Sequence, residues 1–196
     1  MLTPPATFYA LVRNTLFGGS WTMGQFAGTL AILKAWEDTF KKSDTRFVAY
    51  SLATAYHETG RKMLPVREIG EGKGHQYGIA TGPYGQVYYG RGLVQLTWYK
   101  NYDNADVRLL ALGLLEPGQN LVKDPDLALR SDIAAAILVH GMVEGWFTGK
   151  KLSDFFNFGK TSWGDARTII NGHDCAAEIS DYAQHFFEAL KDGGWT

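Results

Sequence analysis

Residues 70–92 hold eight glycines in 23 positions, interleaved with Tyr77, Tyr84, Tyr88 and Tyr89. Neither a helix nor a regular strand is built from glycine at that density, because each glycine adds backbone freedom that folding must remove. The segment therefore reads as an ordered loop with unusual backbone angles or close backbone approach. A flexible linker would favour serine, proline and charge, and would leave four tyrosine rings exposed for no gain. The chain is thus expected to place helices around an irregular segment that lines a substrate site.

Helical periodicity surrounds this segment on both sides. The first helix is expected over roughly residues 4–16, with Thr3 as N-cap and Pro4 and Pro5 in the opening turn, where a missing N–H costs nothing. A second, over roughly 23–40, carries Phe26, Leu30, Leu33 and Trp36 at spacings of 4, 3 and 3, with Thr22 as its cap. A third starts after Asp44 and brings Phe47, Val48, Leu52, Ala55 and Tyr56 toward Gly60 as its stop signal. A fourth opens at Ser131, runs through Ile133, Ile137, Leu138, Met142 and Phe147, and is stopped by Thr148-Gly149. The last covers about 174–190, with Ile179, Tyr182, Ala183, Phe186 and Leu190 on one face. No repeat of 20–50 residues is visible.

Composition narrows the functional classes. At 196 residues one domain is expected over 1–196, large enough to form a core without disulfides or metal. Nineteen basic and 20 acidic side chains leave a net charge of −1, which argues against a nucleic-acid partner. No run approaches the ~20 apolar residues of a membrane helix, so stable membrane insertion is not expected. The N-terminus lacks the basic and apolar regions of a signal peptide, so synthesis in the cytoplasm and action on a wall after release are expected.

Metal and nucleophile signatures are weak. His57-Glu58 continues as Thr59-Gly60-Arg61, so the zinc-helix pattern fails at its second histidine. The single cysteine, Cys175, reads as a buried thiol. No cofactor and no metal are expected. The carboxylates carry more information. Glu58 ends an apolar helix, where partial desolvation favours a neutral, proton-donating carboxyl. Glu68 follows ten residues later, and Glu71 three after that. A proton donor facing an ionised partner is what glycosidic bond hydrolysis requires. From spacing alone these glutamates fit a solvated surface as well as a catalytic pair.

Four motifs add a resemblance. His57-Glu58-Thr59-Gly60, the block Tyr88-Tyr89-Gly90-Arg91-Gly92-Leu93-Val94-Gln95-Leu96-Thr97-Trp98-Tyr99-Lys100-Asn101-Tyr102, Asp124-Pro125-Asp126-Leu127-Ala128 and Ile169-Ile170-Asn171-Gly172 occur in this order. Together they resemble glycoside hydrolase family 19, which comprises chitinases and related phage endolysins. The likeness covers about residues 45–190; residues 1–44 are not matched to the plant-type pattern.

The resemblance implies a mainly α, lysozyme-like fold: two helical lobes about a central substrate cleft, with a small irregular β-containing flap over 66–97. It implies an inverting glycosidase in which Glu58 is the general acid. Glu68, with Glu71 in reserve, activates water on the opposite face, and Thr97 holds that water. Gln95, Asn101 and Asn171 match polar side chains that bind the sugar. His57 is a further substrate-binding candidate, and Tyr88 and Tyr89 are expected to line the cleft as ring platforms. Asn171-Gly172 also fits a plain turn, and Arg91 reads as a structural ion-pair partner. Plant members are disulfide-bonded, secreted and longer between the two glutamates, whereas nine residues separate Glu58 from Glu68 here. That pattern leans toward the phage-type branch and the glycan of peptidoglycan, with chitin as the alternative and a non-catalytic glycan-binding module as a third reading. A monomer is expected.

Overall fold

The computed structural model describes residues 6–41 and 43–195. Thr3, the expected first cap, and the prolines after it lie outside the described residues. Six α-helices are present among them: α1 (Ala6–Thr15), α2 (Met23–Thr39), α3 (Thr45–Glu58), α4 (Tyr99–Ala111), α5 (Ser131–Glu144) and α6 (Ala176–Asp192). The architecture is mainly α and lysozyme-like, as the motifs imply.

Two helices form the centre. Every residue from Val48 to Tyr56 of α3 is buried, as is every residue from Ile133 to Met142 of α5. A helix apolar on all sides belongs inside a globule. Small residues (Ala49, Ser51, Ala53, Ala55) keep α3 thin enough for close neighbours. The buried hydroxyls of Ser51 and Thr54 donate back to the carbonyls of Phe47 and Tyr50, each at 2.9 Å, so neither of the two is stranded. Helix α6 packs along α3 with Ile179, Ala183, Phe186 and Leu190 inward, and each such Leu, Ile or Phe contributes about 1.5–3 kcal/mol by burial. Helix α1 lies against α6, α2 against α5 and α3, and α4 against α5.

Local signals start these helices. The Thr22 hydroxyl accepts from Gln25 N while the Gln25 side chain accepts from Thr22 N, a reciprocal cap for α2. Asp44 caps α3 by accepting from Arg46 N at 2.9 Å. At Gly28 of α2, a Cβ would lie 1.8 Å from the carbonyl oxygen of Met63, so only glycine allows this approach.

Three local expectations are corrected. Helix α5 stops at Glu144, where Gly145 adopts a left-handed conformation (φ 77°) and two amides converge on the Gly141 carbonyl. Phe147 is therefore outside the helix. Cys175 is exposed, not buried, because it precedes α6 in a left-handed turn. Helix α4 was hidden by its buried stripe of Tyr102, Ala105, Asp106 and Leu109, which contains a carboxylate. Asp106 is buried because Leu121 N and Asn120 Nδ2 donate to it at 2.6 and 2.7 Å.

The glycine-rich segment forms the flap. Its only regular pairing is between β1 (Val66–Arg67) and β2 (Arg91–Gly92), antiparallel, with Val66 opposite Gly92. Elsewhere it is turns, including a 3₁₀ turn at Gln76–Gly78. A Cβ on Gly78 would come within 1.9 Å of the Gly72 carbonyl, so the density of glycine reflects close approach of the flap's own strands of chain. A second small hairpin, β3 (Phe156–Asn157) with β4 (Lys160–Thr161), lies beyond α5. No described helix is long and apolar enough to cross a membrane.

Candidate active site

A cleft of about 360 Å³ opens where the end of α3, the flap and the start of α4 meet. Glu58, Gln95, Thr97, Asn101 and Asn171, separated by up to 113 positions in sequence, all line it. Tyr77, Trp98, Phe147 and Ile170 complete the wall.

Glu58 is the last residue of α3, with a side chain only 14% exposed. A carboxylate at a helix C-terminus faces the negative end of the macrodipole. Arg167 compensates: its Nη1 donates to Glu58 Oε1 at 2.5 Å, and its side chain is 5% exposed. The guanidinium is aimed by a 3₁₀ turn (Asp165–Ile169) and by Nε donating to the Asp174 carbonyl at 3.0 Å. The partial desolvation expected from the sequence is thus joined by an arginine partner that the sequence did not reveal. Oε2 of Glu58 has no protein partner among the described residues.

Glu68 stands one side chain back from the cleft. Its Oε1 accepts from the Tyr77 hydroxyl at 2.8 Å and its Oε2 from Gly90 N at 3.0 Å. Burial first, and the bond to Glu68 second, push the Tyr77 hydroxyl up to about 12, so it remains a donor. Glu71 is exposed in a tight turn (φ 51°) and does not line the cleft.

The polar groups are half-committed, which fixes what they can offer. Thr97 donates its hydroxyl proton to the Gln95 carbonyl at 2.6 Å, so toward the cleft it accepts. Gln95 Nε2 donates to Val66 O at 3.1 Å and Asn101 Nδ2 to Thr97 O at 2.9 Å, leaving their amide oxygens as acceptors. Asn171 Oδ1 accepts from Gly172 N at 2.9 Å, and its Nδ2 is left as a donor. Gln95 (φ 51°) and Trp98 (φ 74°) hold left-handed backbone, a strain of about 1–3 kcal/mol each concentrated in this wall.

Several expected site residues lie elsewhere. Tyr88 is fully buried with its hydroxyl on the Val122 carbonyl at 2.8 Å, and Tyr89 sits 3.5 Å beneath the Arg91 guanidinium. Both are buried, on opposite sides of the chain: Tyr88 packs on Tyr99 and Tyr102 of α4, and Tyr89 is covered by Arg91 and bonded by Arg67. The exposed aromatic faces are instead Trp98, 48% exposed, and Tyr77, packed edge to face 5.4 Å apart. His57 points away, its Nδ1 3.9 Å from Glu178 of α6. Arg91 is structural: its Nε bonds Asp126 at 2.8 Å, and Arg67 grips the other side of the same carboxylate. No cluster of side chains able to hold a metal occurs among the described residues.

A class IV family 19 chitinase from Zea mays superposes with a TM-score of 0.60 over 97% of this chain and 93% of its own, at 18% identity. A mutant of chitinase C gives 0.59 over 100% and 78%, at 23% identity. A bacterial family 19 chitinase gives 0.50 over 97% and 95%, at 22% identity. The resemblance carried by the motifs therefore extends to the fold: the chain has the fold of these family 19 chitinases. In sequence, an Arabidopsis thaliana endochitinase is 28% identical across 98% of the chain, which spans 64% of that protein's length. No model of a known protein family matches the chain.

Proposed function

We propose that this protein is an inverting glycoside hydrolase acting on a β-1,4-linked, N-acetylated glycan. The observation that carries the reading is one cleft with Glu58, held through one oxygen by Arg167, and an accepting hydroxyl on Thr97. With glycan bound, Glu58 takes up a proton from solvent on Oε2 and passes it to the leaving glycosidic oxygen, while Oε1 stays on Arg167. A water donates one O–H to Thr97 and the other to the Tyr77 hydroxyl, which itself donates to Glu68, and this leaves a lone pair for the anomeric carbon. As that C–O bond forms, the water's proton passes to the Tyr77 oxygen while Tyr77 gives its own to Glu68, and the product has the opposite anomeric configuration. Inversion requires carboxyl groups about 6.5–9.5 Å apart, with the water between them. The acceptor oxygens of Gln95 and Asn101 and the donor of Asn171 suit the N–H and C=O of an acetamido group.

The substrate proposed is the glycan of peptidoglycan, cut by a wall-lytic enzyme after release from the cytoplasm. Chitin is the second reading, favoured by the chitinase names of the similar proteins. Reducing-end release from purified cell walls beside colloidal chitin separates the two. For either polymer, Glu58→Gln is expected to lower release by at least ~10²-fold. It also costs about 3 kcal/mol of stability by leaving Arg167 without its counter-charge, so the assay is run below the variant's melting temperature. Undiminished release overturns the assignment.

A further inference from the structure

The cleft does not end at Asn101. A second hollow of about 630 Å³ shares Asn101 and Phe147 with it and continues between α4 and the turn that follows α5. One wall is a single face of α4: Lys100, Asp103, Asn104 and Val107 recur at i, i+3, i+4 and i+7. The opposite wall is rigid. Asn104 Nδ2 donates to the Trp146 carbonyl at 3.3 Å, and the Thr148 hydroxyl bonds the Thr168 and Ile169 carbonyls at 2.8 and 3.0 Å.

The charges on this face are unspent. Lys100 and Asp103 have the spacing of a helical ion pair, yet neither side chain has a hydrogen-bond or ion-pair partner among the described residues. The amides of Asn101 and Asn104 and the ring of Phe147 would serve another sugar, but an unpaired cation and anion on one face are more than a neutral sugar uses. A cation, an anion and the apolar surfaces of Val107 and Phe147 suit a short peptide with a carboxylate, N–H groups and methyl side chains. From Lys100 to Val107 the helix rises about 10 Å, the length of roughly three extended residues.

Resting on the hydrolase reading above, we propose that this hollow receives the peptide carried on the lactyl ether of the muramyl sugar. Lys100 takes a stem carboxylate and Asp103 an N–H or ammonium group. Such a site gives the cleft a preference for peptide-bearing glycan over chitin, which has no lactyl group and no peptide.

The test is binding and hydrolysis measured separately. Two soluble ligands are titrated by calorimetry: the N-acetylglucosamine–N-acetylmuramic acid disaccharide bearing its tetrapeptide, and the same disaccharide with its lactyl carboxyl capped as the methylamide. The peptide-bearing ligand is expected to bind about tenfold more tightly, as for one charge-assisted hydrogen bond. Lys100→Gln is expected to remove that difference while leaving the capped disaccharide unchanged. Equal affinity for the two ligands, absence of binding by both included, overturns the proposal, as does an equal loss on both in the variant. A wild-type protein that prefers the peptide-bearing ligand but releases no reducing ends from cell walls overturns the hydrolase reading and leaves the pocket standing.

Discussion

Thr97 shows how much one hydrogen bond decides. Because its proton is committed to the Gln95 carbonyl, the hydroxyl can orient a water only by accepting from it. Thr97→Val keeps the shape and deletes the acceptor, and is expected to lower kcat by about 10–10²-fold with little change in KM. Thr97→Ser keeps the acceptor and is expected to retain activity within a few-fold. Full activity in Thr97→Val with a loss in Thr97→Ser, read by steady-state kinetics, would mean that the methyl group and not the oxygen matters. At this scale the motif residues were legible, since Glu58, Gln95, Thr97, Asn101 and Asn171 meet in one cleft. Arg167 was not: it lies 109 positions from Glu58 in a segment with no pattern of its own, and only folding brings the two together.

Among the elements, the flap carries its information in glycine. Gly78→Ala would set a methyl group 1.9 Å from the Gly72 carbonyl and push apart the turn that presents Tyr77 to the cleft. A displacement near 1 Å can cost about 10²-fold in rate, and that loss in kcat/KM is expected with the helical core intact by far-UV circular dichroism. Gly85→Ala makes the matching control. Its Cβ meets nothing within 4 Å, so only the positive φ (62°) is penalised, by about 1–2 kcal/mol, and activity is expected to stay near that of the parent. The same scale explains the misread helices. Periodicity finds α3 and α6 because their buried positions are apolar, and misses α4 because Asp106 sits in its stripe. It overruns α5 because an apolar Phe147 continues the pattern past a glycine that ends the helix.

Across the whole molecule, Asp126 ties flap to helical body. Its carboxylate, in the 3₁₀ turn Pro125–Leu129 before α5, accepts from Arg67 of β1 and Arg91 of β2. Burial alone would raise this carboxyl, but the two arginines outweigh it and hold it below its ordinary range. Its stabilisation is therefore complete above the unfolded aspartate value, about 3.9, and is lost as pH falls through the lower folded value. Urea melts should show Asp126→Asn less stable than the parent at pH 7, with the gap closing below pH about 4. A gap that stays constant down to pH 3 would show that the carboxylate's charge is not what ties the flap.

Local order was written into the sequence: where α2, α3 and α5 start, and that the middle segment is an irregular flap. Those features depend on side-chain period, capping groups and glycine, all of which act over a few residues. Which tyrosines are core and which aromatics are open, where Glu58 finds its counter-charge, and that the cleft runs on into a charged hollow were decided by the packing of distant segments. Burial and pairing are properties of neighbours in space, and a linear pattern does not specify them.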